Sequence, residues 1–274
     1  MSTQIYYFSG TGNSLYVARE LQRRIPDTVL VPMIGALKSG PVASSGAAVG
    51  LVFPVHAFTV PLAVKQFLRQ VDLRSAQYVF AVATRGGSPC PVFRDVDRLL
   101  RPQKKSLDAY FYLEMPGNFL LLHFKALSPE TQRQMDRELQ PRLDAMRDVI
   151  ENRRISREPD RRAQKAFFRR HVQQPALKWV AQTTRYGLLE RAFYADARCS
   201  GCGLCGQVCP AGKIALPNGK PEWRRDVPCL FCFGCINYCP AQAIQIRNTK
   251  TAECGRYHHF AVDPRDIAEQ KKPV

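Results

Sequence analysis

The residue pattern predicts an α/β domain with a doubly wound, parallel five-stranded sheet, then a helical connector and a small α+β module built around cysteine. Three observations predict it. Over the first 125 residues, five apolar, β-rich runs alternate with helical patterns. A loop rich in glycine and hydroxyl residues separates the first run from the first helix. Near the C-terminus one cysteine motif occurs twice, 30 residues apart.

The expected strands are residues 4–9, 29–33, 47–55, 77–84 and 109–115. Most are continuous apolar runs, as parallel strands covered on both faces require. Residues 14–25, 62–71 and 93–101 carry helical periodicity, and Pro61 and Pro91 sit where a first-turn proline is tolerated. Strands alternating with crossover helices imply the doubly wound architecture. Ser128-Pro129-Glu130 opens a further helix reaching about residue 154, which closes the first domain, 1–154. Pro159 and Pro175 restart helical stretches without strand signals in the connector, 155–194. The cysteine module occupies 195–274.

The composition, 45% hydrophobic and 23% charged, is that of a water-soluble globular chain, and no apolar run reaches the ~18–20 residues of a membrane-spanning helix. Met1 to Phe8 lack a basic segment and a small-residue cleavage site, so a cytoplasmic location is expected. Eight of the ten cysteines fall within residues 199–239, which favours metal ligation over a disulfide framework.

The formal charge of +17 is spread over all three segments. Such a field suits an acidic redox partner or an anionic substrate. Solubility in an Arg-rich proteome explains it equally well. Arg153, Arg157, Arg161, Lys165 and Arg169 recur every four residues, a positive ridge that Pro159 bends or splits. Interleaved Glu151, Glu158 and Asp160, with no accompanying motif, argue against nucleic acid. A membrane-surface helix anchored by Phe167, Phe168 and Trp179, or a solvated docking face, are the other readings.

Cys199-x2-Cys202-x2-Cys205-x3-Cys209-Pro210 recurs as Cys229-x2-Cys232-x2-Cys235-x3-Cys239-Pro240. Each copy is followed by a short strand signal, 213–216 and 243–246. Thiolates suit iron–sulfur clusters or zinc. Three cysteines at i, i+3 and i+6 wrap one cluster, and a fourth before proline serves the neighbouring one. By that rule Cys199, Cys202, Cys205 and Cys239 hold one [4Fe–4S] cluster, and Cys229, Cys232, Cys235 and Cys209 the other. Gly201, Gly203, Gly206 and Gly234 lighten these loops. Cys90 and Cys254 read as ordinary buried residues.

Ser9-Gly10-Thr11-Gly12-Asn13-Ser14, after an apolar strand and before a helix, reads as an anion site at a helix N-terminus. It is neither GxGxxG nor a lysine-bearing triphosphate loop, so a terminal monophosphate such as that of FMN is expected. Ligands of such sheets sit at the C-terminal strand ends. That makes Pro54, Val55, His56, Ala57 and Phe58, and Thr84, Arg85, Gly86 and Gly87, the expected flavin-ring loops.

The loop resembles that of flavodoxins, and the whole chain resembles the flavodoxin–ferredoxin fusion family. The resemblance runs through residues 6–14, Phe53-Pro54-Val55, residues 83–88, Met115-Pro116-Gly117-Asn118, both cysteine motifs and Gly255-Arg256-Tyr257-His258. Residues 126–198 match least. The resemblance implies a flavodoxin-like fold, FMN, a bacterial-type ferredoxin module with two [4Fe–4S] clusters, electron transfer, and a place near the flavin for Asn118. The family typically shows Tyr and Gly where this chain has His56-Ala57-Phe58, and often Tyr at Arg85.

His56 reads as a ring-stacking residue, a proton donor or a plain surface histidine, and Phe58 as a ring-stacking residue or as packing beneath its loop. Arg85 is either a cation near the flavin, making it a candidate catalytic group with His56, or solvent-exposed. Two functions follow: an electron carrier between the clusters and FMN, and an FMN-dependent reductase of a small electron-poor molecule fed by the clusters. A cluster-based sensor would need an output domain, for which no signal is present. Cluster lability fits an anaerobic host, and homo-oligomerisation is left open.

Overall fold

The computed structural model describes residues 2–87, 90–119, 127–160 and 189–274. The first elements are β1 (Thr3–Tyr7), α1 (Asn13–Arg24), β2 (Thr28–Pro32), α2 (Met33–Lys38), β3 (Val42–Ala43) and β4 (Ala48–Pro54). They continue with α3 (Leu62–Gln70), β5 (Val71–Asp72), β6 (Tyr78–Arg85), α4 (Val92–Leu100), β7 (Ala109–Glu114), α5 (Pro129–Glu151) and β8 (Ser156–Arg157). Among the described residues six parallel strands form one sheet in the order β2-β1-β4-β6-β7-β8. This is the flavodoxin-like α/β architecture.

Burial explains which runs became strands. β6 is buried along its whole length and β4 along all but its last residue, and both are largely apolar, β6 up to Thr84 and Arg85 at its end. β7 alternates, with Ala109, Phe111 and Leu113 inward. One core lies against α2, α3 and α4, with Met33, Phe67, Leu68, Phe93 and Leu100. The other lies against α1 and α5, with Leu15, Leu21, Leu143, Met146 and Ile150. Ser128 caps α5 by accepting a hydrogen bond from Thr131 N at 3.1 Å, as its Ser-Pro-Glu start implies.

The sheet has a sixth strand that the sequence pattern does not announce. β8 is two residues long and pairs with Ala109 and Tyr110. The expected boundary at 154 falls just before it. Tertiary bonds hold it there: Tyr78 OH donates to Arg154 O at 2.9 Å, and Arg85 pairs with Asp160 at 2.9 Å. α5 ends at Glu151, and Arg153 and Arg157 stand beyond it, bonded to Gln77 Oε1 and Leu107 O. The helical ridge therefore does not extend through these two arginines. Arg161, Lys165, Arg169, Phe167, Phe168 and Trp179 lie outside the described residues.

The C-terminal module holds two small antiparallel pairs. β9 (Phe193–Ala195) pairs with β12 (Ile244–Ile246), and β10 (Ile214–Ala215) with β11 (Glu222–Trp223). Single turns α6 (Leu204–Gln207) and α7 (Gly234–Asn237) follow the cysteine loops. Phe193, Ile236, Ile244 and Ile246 form its core. The tail then returns to the first domain through α8 (Pro264–Glu269), which Asp263 and Asp266 start with reciprocal caps. Asp266 also takes a two-pronged bond from Arg19, at 2.9 and 2.7 Å. No described helix is long and apolar enough to cross a membrane.

The Arg85–Asp160 pair is buried, with side chains 5% and 8% exposed. Removing Asp160 takes from buried Arg85 its nearer carboxylate and leaves Glu114 at 3.7 Å. Asp160→Ala is expected to cost about 3–5 kcal/mol of unfolding free energy in a denaturant titration. Glu114→Ala, removing the half-exposed carboxylate 3.7 Å from Arg85, is expected to cost under about 1 kcal/mol.

Candidate iron–sulfur centre and the loops above the sheet

Two cavities in the C-terminal module are lined by cysteine. One has Cys199, Cys202, Cys205 and Cys239 on its wall, together with Leu204, Leu216 and Ile244. The other has Cys209, Cys229, Cys232 and Cys235, together with Leu230, Phe233 and Lys213. Each set combines three cysteines of one motif with the fourth of the other, the crossed arrangement expected from the spacing. No three metal-ligating side chains among the described residues close on a single point, as one ion would need. Four thiols around a common cavity suit a larger, multi-iron group.

The two loops reach the same backbone shape by different routes. In the first, Gly201 and Gly203 take left-handed φ values of +73° and +76°. The equivalent residues of the second are Phe231 and Phe233, at +50° and +56°. A side chain in that region costs roughly 1–2 kcal/mol. Burying two phenylalanine rings offsets it: Phe233 lies 5.7 Å from Phe119 and 6.3 Å from Phe193. Cys202 of the first set is exposed, whereas no thiol of the second is, and each set holds one buried cysteine, Cys205 and Cys232.

Burial pushes the Cys205 thiol up to about 11 and Cys232 to about 12, and raises Cys229 and Cys235 as well. Thiolates there need positive charge close by, which a cluster's iron provides. Backbone amides also approach sulfur: Phe231 N lies 3.4 Å from Cys229 Sγ, and Ala243 N 3.3 Å from Cys239 Sγ. Buried Lys213 pairs with Glu190 at 2.5 Å, and Glu190 accepts from Cys229 N at 3.0 Å. A cleft of about 850 Å³, lined by Cys199, Lys213, Trp223, Arg191, Lys220 and Arg225, adjoins both cavities. Lys213, Glu190 and this cleft had no recognisable signal in the sequence. Cys90 and Cys254 are buried, each in a hydrophobic core.

Above the C-terminal ends of β1 and β4, the Ser9–Ser14 loop is bonded to its own chain. Gln270 brackets Ser9, accepting from its N–H at 2.9 Å and donating to its carbonyl at 3.0 Å. Thr11 O accepts from His259 N at 2.8 Å, and Thr11 Oγ1 from Asn118 Nδ2 at 2.9 Å. Gly12, at φ +101°, donates to Ser9 Oγ. Asn13 bonds Pro116 O and Tyr257 OH, and Ser14 Oγ bonds Thr84 Oγ1. Five of these six loop residues are buried. An alanine Cβ at Gly10 would lie 2.6 Å from the carbonyl oxygen of Cys232. These bonds take the amides of Ser9 and Gly12, two carbonyls and side chains, and the Cys232 backbone and the C-terminal tail cover the loop.

The ring loops are similarly committed. Val55 N donates to Thr84 O, which holds the Pro54 end of β4 against β6. His56 and Thr59 exchange backbone bonds across a turn in which Ala57 and Phe58 are left-handed, at +44° and +64°. Phe58 packs against the α2–α4 core, the packing reading of that residue. His56 is partly buried. It lies 6.0 Å from Phe8 and beside the Leu230 backbone, and burial lowers its pKa to about 4. Arg85 is not solvent-exposed but turned inward, stacked 4.2 Å over Tyr112 and paired with Asp160. Gly86 faces Gly117 at the mouth of β6, and Gly87 takes φ +96°.

Residues 198–244 match the family described as the 4Fe-4S dicluster domain, so the module is of iron–sulfur type. No curated protein matches the chain. Among solved structures, the rubredoxin oxygen:oxidoreductase of the anaerobe Desulfovibrio gigas aligns at 14% identity and a TM-score of 0.36. That alignment covers 56% of this chain and 36% of the oxidoreductase, so the chain spans little over a third of that protein's length. The Trp repressor binding protein of Bacillus subtilis aligns at 15% identity and a TM-score of 0.33, over 52% of this chain and 96% of that one.

The cavity linings give the crossed ligation a direct check. Cys209→Ser is expected to disturb the same EPR signal as Cys235→Ser, and Cys239→Ser the same signal as Cys202→Ser. Each variant should retain roughly half the iron of the parent chain. Pairing of Cys209 with Cys202 instead would contradict the assignment.

Proposed function

We propose that the chain is an electron carrier in which two [4Fe–4S] clusters stand in series, one near solvent and one against the α/β domain. The observation that carries this reading is the pair of four-cysteine cavities, one of which presents an exposed thiol, Cys202, while the other presents none. Cys199, Cys202, Cys205 and Cys239 hold the outer cluster, and Cys209, Cys229, Cys232 and Cys235 the inner. The clusters supply one-electron chemistry, and the protein supplies ligation, spacing and exclusion of water.

The outer cluster is the point of exchange, because Cys202 and the neighbouring Ser200 and Gly201 face solvent. The cleft beside Cys199, whose wall mixes Arg191, Lys220 and Arg225 with Glu190, Asp196 and Glu222, gives a partner or a small electron acceptor a place to approach. Around the inner cluster, Phe233 and Leu230 keep water away, and the Lys213–Glu190 pair holds a cation and the Cys229 amide in fixed positions.

FMN has no role in this reading. The Ser9–Ser14 loop lies under the Cys232 backbone and the C-terminal tail, and a flavin-dependent reductase would need that cover to open.

Anaerobic reductive titration of the intact chain, followed by absorbance and EPR, tests the proposal. Uptake of about two electrons per chain, with about eight irons present, is the expected result. Protein that folds without iron sinks the carrier reading. About one FMN per chain released on denaturation, in protein that takes up about four electrons, would move the assignment to the flavin-dependent reading.

A further inference from the structure

The loop with the anion-binding sequence touches the inner cysteine loop directly. Gly10 does not occupy the left-handed region, so its own conformation does not call for glycine. Space does. A Cβ at Gly10 would lie 2.6 Å from Cys232 O and 2.7 Å from Cys232 Cβ. The approach is reciprocal, since a Cβ at Gly234 would lie 2.9 Å from Gly10 O. Two backbones from opposite ends of the chain therefore meet where both lack side chains.

Other residues hold the same contact closed. Asn118 Nδ2 donates to Thr11 Oγ1 and lies 3.4 Å from Cys232 O, spanning the two loops, while Asn118 O faces Asn237 Nδ2 at the same distance. Gln270, fully buried, brackets Ser9 from the far side. Leu230 and Cys232 pack into the α2–α4 core of the first domain, with Ala211 against its edge.

We propose that the Ser9–Ser14 loop is the seat of the inner cluster's cysteine loop, and that the α/β domain serves to fix and shield that cluster. The inference rests on the iron–sulfur reading above and adds which cluster the first domain governs. Gly10, Thr11 and Asn118 are positioning residues, acting through the Cys229–Cys235 loop. Their effect is confined to the inner cluster, because the outer cavity is lined by other segments.

The test uses anaerobically purified full-length chain, with iron release to a ferrous chelator followed in time and EPR recorded at each stage. The parent chain is expected to lose its outer iron fast and its inner iron slowly. Gly10→Ala, which forces the Cys232 backbone away, should accelerate only the slow phase, by roughly tenfold or more. Asn118→Ala and Gln270→Ala add no atoms and should accelerate the same phase less. They stand in if Gly10→Ala does not fold. Unchanged inner-cluster release and EPR in all folded variants would overturn the proposal. So would a parent chain that carries FMN and loses only FMN on Gly10→Ala. Absence of about eight irons from the parent chain would instead bring down the iron–sulfur reading itself.

Discussion

Gly10 and Gly234 are separated by most of the chain, yet their backbones come within van der Waals contact, and the relation between the two domains depends on that approach. Backbone packed against backbone leaves no flexible atoms to absorb an added methyl group. Everything else at the junction follows its geometry. Asn118 can span Thr11 and Cys232 because the loops are this close, and Leu230 reaches the α/β core because Cys232 does. The tail completes the arrangement: Arg19 holds Asp266, α8 carries Gln270 to Ser9, and His259 reaches Thr11.

The duplicated cysteine motif ends up in two different environments. Glycines at 201 and 203 leave the first loop light and open, while phenylalanines at 231 and 233 hold the same backbone shape under a hydrophobic cover. A cluster exposed to solvent can exchange electrons with a partner, and a covered one is protected from water and oxidants. Lys213 marks the boundary between them, buried on the wall of the inner cavity and of the cleft beside Cys199. The asymmetry is written in which residues pay the left-handed strain.

Sequence alone made much of this legible. The five long strands, their crossover helices and the loop between β1 and α1 follow from apolar runs and glycine placement, because local burial on two faces imposes them. The eight cysteines stand out by their spacing, and the crossing rule for duplicated motifs groups them as the two cavity linings do.

Tertiary structure decided the rest. β8 has too few residues to show a pattern and is held by Tyr78 and Asp160. Arg85 and His56 could have faced a ligand, but an inward carboxylate claims one and the Leu230 loop covers the other. The Ser9–Ser14 loop keeps the sequence of an anion cradle. What covers it is Gln270, His259 and Cys232, more than 200 residues away, and no local pattern encodes a contact between such distant segments.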